Sequence, residues 1–175
     1  MIAGYFMVLL SAGWSTGTIS TSGCGLEVSN RLMRIGPILS TVSLIGLTIV
    51  QPLASIDHAT AVSWAVGVCL FGVGAGIGIT WPHLLTQVFR ISPPGQENMA
   101  SSAIITVQLY ALAFGAALGG MVTNAAGFTD PGGLAGTQQA SVALLSTLAL
   151  APALAAWLIG PVLRSRQKAT AVGRA

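Results

Sequence analysis

The sequence predicts an all-α integral membrane protein with five transmembrane helices. Three observations carry that expectation. The chain of 175 residues is 53% hydrophobic and only 6% charged. A soluble domain carries about 25% charged residues, so this chain could not cover its surface in water. Five apolar runs follow one another, each close to the roughly 20 residues a helix needs to cross a bilayer. The Lys and Arg residues fall only on alternate connections between those runs and in the tail after the last one.

The first span is expected at residues 2–24, the second at 35–53, the third at 61–89, the fourth at 99–125 and the fifth at 140–163. Run length and lack of charge decide each of them, because periodicity alone does not separate a membrane helix from a buried soluble one. Polar connections lie between. Residues 25–34 hold Glu27, Asn30, Arg31 and Arg34. Residues 54–60 hold Asp57 and His58, and 90–98 hold Arg90 and Glu97. Residues 127–139 hold Asp130 and the turn signal Pro131-Gly132-Gly133. A five-helix domain over 1–163 is thus followed by a basic tail at 164–175, expected to be cytoplasmic and disordered past Gln167.

Arg31, Arg34 and Arg90 share one side of the membrane with Arg164, Arg166, Lys168 and Arg174 if all five runs cross. Basic residues are retained on the cytoplasmic side. The N-terminus is therefore expected outside and the C-terminus inside, in a plasma membrane such as the bacterial inner membrane. No basic residue precedes the first apolar run, so Met1 opens directly into a hydrophobic segment without the pattern of a signal peptide.

The organising stretch is 61–127, two apolar runs around the bend Arg90-Ile-Ser-Pro-Pro-Gly-Gln-Glu-Asn98. Small residues recur at helical spacing. Gly4, Ser11, Ser15, Thr18 and Ser22 mark the first span, and Gly67, Gly74 and Gly78 the third. Ser101, Gln108, Gly115 and Gly119 mark the fourth. Lipid tails give helices no hydrophobic reason to associate, so close approach through small residues supplies the packing. Such faces either hold the bundle together or let helices slide; Gly74, Gly78 and Pro82 are the candidates for kinking or gating. Within Trp81-Pro82-His83, the proline removes a backbone donor and predicts a kink or break near 78–82. His83 falls near the cytoplasmic end of its span, where an interfacial role without chemistry is expected.

Trp14 lies midway along the first span, among Ser11, Ser15, Thr16 and Thr18, and Gln108 and Tyr110 lie midway along the fourth. Polar groups at that depth face a bundle interior or a watery cavity. Trp14, Thr18, Gln108 and Tyr110 are thus candidates to line a substrate cavity. Helix-to-helix hydrogen bonds, or hydroxyls bonding back to their own helix, are the alternative. The four acidic residues all fall in connections, so no intramembrane proton site is visible. Metalloprotease, nucleophile-elbow and phosphate-loop motifs are absent. Gly74 and Gly76 begin a Gly-x-Gly-x-x-Gly pattern, but Ile79 holds its last place. Cys24 and Cys69 read as small buried residues with free thiols. Neither an enzyme, a metal site, a cofactor nor a nucleic-acid partner is expected.

Several of these features together resemble the C-terminal half of a major facilitator superfamily transporter, of drug-efflux flavour. The first span reads Gly4-Tyr5, then Ala12-Gly13-Trp14, then Gly17, followed by Ser29-Asn30-Arg31-Leu32-Met33-Arg34. That segment is similar to the family's Asp-Arg-x-Gly-Arg-Arg cytoplasmic loop, with Asn30 in place of the acid and Met33 in place of the glycine. The glycine-rich run 72–78 and the bend 93–101 resemble the family's corresponding segments. The five spans match by character the eighth to twelfth helices of a twelve-helix member. The resemblance implies alternating access for a small organic solute or drug, with coupling to protons. It implies that spans one, three and four line the cavity while two and five stay peripheral. It implies as partners the lipid bilayer, a small-molecule substrate and the N-terminal half of the same transporter. On that reading the chain is a fragment or has a start placed too far downstream. The alternative is a five-span structural or regulatory subunit that transports nothing.

Overall fold

The computed structural model describes residues 2–53 and 59–172. These residues form α1 (Ile2–Thr21), α2 (Leu26–Val50), a short 3-10 turn (Gln51–Leu53), α3 (Ala59–Ile91), α4 (Glu97–Ala125) and α5 (Gly133–Val172). No strand is present among them. Among the described residues, four segments are long and apolar enough to cross a membrane: Leu26–Leu53, Thr60–Ile91, Glu97–Ala125 and Gly133–Pro161. α1 is the shortest of the five α-helices, 20 residues with six hydroxyl side chains between Ser11 and Thr21.

Helix ends depart from expectation wherever polarity was taken for a loop. Residues 25–34 are not a connection. The turn closes by Gly25, with Gly23 at φ +79°, and Asn30, Arg31 and Arg34 lie on the first turns of α2. Nothing between Leu26 and Gly36 breaks a helix, and Glu27 in the first turn complements the helix dipole. α5 likewise begins at Gly133 rather than 140, and its backbone stays helical through Val172, where disorder was expected. Extending a formed helix costs little, and Lys168-Ala-Thr-Ala-Val offers no breaker. Asp57 and His58 lie outside the described residues.

α3 is the centre of the packing. α1 runs parallel to it and α2 antiparallel, on opposite faces; α2 continues onto α5, and α5 onto α4. The helices are therefore laid in the spatial order α1, α3, α2, α5, α4. α4 touches α3 only slightly and has no buried residue. The turn between α4 and α5 is tight: Gly127 takes φ +93°, and a Cβ on Gly136 would strike the Gly127 carbonyl. Large apolar side chains such as Tyr110, Phe114, Trp64 and Trp157 are exposed around this array, as expected of surfaces that face lipid or further helices.

Candidate functional site

The alternating glycines of α3 work as two separate pairs. Residues two apart on a helix point about 200° apart, and residues four apart nearly coincide. Gly72 and Gly76 face α2, where added Cβ atoms would meet Ser43 and Ser40. Gly74 and Gly78 face α1, where they would meet the carbonyls of Leu10 and Trp14. Gly67 shares that face, with Leu9 Cδ1 at 2.9 Å from its would-be Cβ. Gly13 and Gly17 of α1 answer them, lying against the backbone of Phe71 and Ala75.

The small-residue face expected on the first span is therefore corrected. Ser11, Ser15 and Ser22 are exposed, and nothing lies within 4 Å of a Cβ on Gly4. Gly13, Gly17 and Thr21 are the buried set. On α4, Gly115 meets nothing within 4 Å and Gly119 only Leu144 Cδ1 at 3.4 Å.

Pro82 does not break α3, which is continuous from Ala59 to Ile91. Proline lacks the N–H that would bond the carbonyl four residues earlier, so Gly78 loses its usual donor. Thr18 of α1 replaces it, its Oγ1 donating to the Gly78 carbonyl at 3.3 Å. A neighbouring helix that satisfies a proline-freed carbonyl is what allows proline inside a membrane helix. Thr18, Gly78 and Pro82 thus form one structural unit. Thr18→Val keeps the shape and removes the donor. The expected result is a loss of about 1 kcal/mol in detergent unfolding. Thr18→Ser should retain most of the stability, and equal stability of Val and Thr would refute the role.

Most other hydroxyls bond back to their own helix. Ser11 donates to Met7, Thr21 to Gly17 and Thr106 to Ser102, at 3.0, 2.8 and 2.9 Å. Ser40 is an exception, reaching the Val73 carbonyl across the α2–α3 contact at 3.4 Å. Gly36, Ser40 and Ser43 form the small face of α2 that receives α3. Their spacing was visible in the sequence, but it was not connected with Gly72 and Gly76.

The polar candidates at mid-span are not gathered in one place. Trp14 presents its backbone to Gly74 and Gly78 while the residue remains 43% exposed. Gln108 lines a cavity of about 210 Å³ between α3 and α4, with Trp81, Leu85, Phe89, Ser101, Ile104 and Ile105. No α1 residue lines it, and Tyr110 lies outside it, 75% exposed. An amide and a hydroxyl among aromatic and aliphatic walls suit an amphipathic organic molecule. Trp81 and Phe89 entered this site unannounced, since the sequence marked Trp81 only as a neighbour of Pro82.

At the basic end, His83 is buried, with 8% exposure. Its Nε2, the Asn30 Oδ1 and the Arg34 Nε are buried without a hydrogen-bond partner. Arg34 Nη2 donates to the Gly160 carbonyl of α5 at 3.2 Å, and Arg31 is exposed one turn further out. The thiols are free: Cys24 is exposed in the turn after α1, against expectation, and Cys69 is half-buried.

The molecule is thus a membrane-type helix array with a doubly packed glycine helix and an amphipathic cavity beside it. Over 126 residues, 71% of this chain, it is 31% identical to proteins of two Mycobacterium tuberculosis strains, each named a "Probable multidrug-efflux transporter". The chain spans about a quarter (26%) of the length of these relatives. No family model and no solved structure matches it.

Proposed function

We propose that this chain forms part of a secondary transporter of the major facilitator type. In this reading it exports small organic solutes or drugs by alternating access, coupled to protons. The observation that carries the reading is the 31% identity over most of the chain to proteins named as efflux transporters. The cavity at Gln108, with its amide, hydroxyl and aromatic walls, supports the same substrate class. All five helices cross the membrane in this proposal. The antiparallel α2–α3 and parallel α1–α3 contacts agree with that, because neighbouring spans alternate in direction. The basic ends of α2, α3 and α5 then lie together on the cytoplasmic side of the inner membrane. The exposed faces of α1, α3 and α4 would meet further helices of the same transporter, which supply the other wall of the path.

The test is efflux from the source cell. Cells lacking the reading frame should accumulate a cationic dye such as ethidium, and cells carrying it should expel the dye until a protonophore is added. Accumulation that does not depend on the reading frame would end the proposal. Gln108→Ala should change the relative efflux of two dyes by about two- to tenfold, the effect of one hydrogen bond. Membrane expression should be unchanged. Lost expression with an unaltered dye ratio would instead make Gln108 a packing residue.

A further inference from the structure

The seam between α2 and α5 holds a second cavity, of about 320 Å³, distinct from the one at Gln108. Thr41, Ile45 and Thr48 line it from α2, and Ser146, Ala149 and Ala153 from α5. Its hydroxyls are already satisfied. Thr41 donates to Pro37, Thr48 to Leu44 and Ser146 to Val142, at 2.8, 2.9 and 2.8 Å. With the hydroxyl protons turned to the backbone, the exposed wall of the groove is almost wholly apolar, and a water molecule, which needs two to four polar partners, is poorly held there. It suits a hydrocarbon chain.

Arg34 closes one end of this seam. Positions 34, 41, 45 and 48 share one face of α2, at steps of seven, four and three. On α5, Gly160 stands seven residues beyond Ala153, on the same face. Seven residues of helix are about 10 Å, the depth between a headgroup phosphate and the upper part of its acyl chain. The guanidinium gives one bond to the neutral Gly160 carbonyl, while its Nε is buried without a partner. The acidic residue of α2, Glu27, lies about two turns away, so the charge of Arg34 has no carboxylate beside it on its own helix. Arg31 adds a second positive charge one turn outward. A guanidinium fork matches a phosphate, and basic pockets between membrane helices receive anionic headgroups.

We propose that the α2–α5 seam is a binding site for an anionic phospholipid, its phosphate held by Arg34 and one acyl chain seated in the Thr41–Ala153 groove. The site is independent of the transported substrate and does not rest on the transport reading.

The test is native mass spectrometry of the purified chain in mild detergent. It uses phosphatidylglycerol and phosphatidylcholine with identical acyl chains. Phosphatidylglycerol should be retained about tenfold better, because both lipids carry the phosphate but the trimethylammonium of phosphatidylcholine cancels its attraction to Arg34 and Arg31. Arg34→Gln should abolish that preference, Arg34→Lys should keep it, and Arg90→Gln should leave it unchanged. Ala153→Leu, which fills the groove, should lower retention of both lipids. Circular dichroism should show wild-type helix content for each variant. An excess of inorganic phosphate should not displace the lipid; displacement would make this a free-anion site and overturn the proposal. Equal retention of the two lipids by the native chain would overturn it as well. So would an Arg34→Gln variant that folds and keeps the full preference, or an Ala153→Leu variant that binds as before.

Discussion

Gly76→Val should open the contact between α2 and α3 and expose Cys69 to alkylation. A Cβ at position 76 would lie 2.6 Å from the Gly36 carbonyl oxygen and 2.9 Å from the Ser40 nitrogen. Both are backbone atoms of a helix and cannot rotate away, so α2 must move. Forcing apart a tight interface costs about 3 kcal/mol. Cys69 reports the event because it faces the same partner: its Sγ lies 2.9 Å from the position of a Cβ on Gly46. Cys24, exposed in the first turn, is an internal standard. With N-ethylmaleimide in detergent, labelling of Cys69 relative to Cys24 should rise at least about tenfold, since 1.4 kcal/mol of local opening already gives that factor. An unchanged ratio would mean that α2 and α3 do not meet through these small residues.

Gly74→Val, only two positions away, should release a different helix. Its Cβ would strike the Leu10 carbonyl and lie 3.0 Å from the Trp14 nitrogen, both on α1. The expected cost is again about 3 kcal/mol. α1 should become accessible to protease while the Cys69 labelling ratio remains near its native value. Gly115→Val is the control, because a Cβ there meets nothing within 4 Å. If Gly74→Val and Gly76→Val gave the same protease pattern and the same thiol ratio, the glycines would not serve separate faces.

The helices themselves were legible because composition and run length are strong signals in a membrane protein. Their ends were not. Glu27, Arg31 and Arg34 signal departure from the lipid, and that was mistaken for departure from the helix. The same error displaced the start of α5, where Gln138 and Gln139 are polar but helical. Gly67, Gly74 and Gly78 were found as one face of α3, and they do share a partner. The face of α1 was misplaced because small residues are so abundant there that several stripes fit the helical period. Gly13 and Gly17 repeat the four-residue spacing of Gly74 and Gly78, and matching the two pairs would have selected them. The cavity at Gln108 was half visible. A lone amide at mid-span draws notice, whereas Trp81 and Phe89 are inconspicuous among so many apolar residues.

The arrangement of α3 between α1 and α2 also orders the assembly of the protein in time. Both earlier helices carry small faces shaped for α3, and neither is matched to the other. Within this stretch they acquire a fitted partner only once the chain has advanced through residue 80. From that point a single helix engages both at once, parallel to one and antiparallel to the other. A chain cut short before Ala59 therefore leaves α1 and α2 unjoined to each other, and α3 is the element whose arrival brings them together.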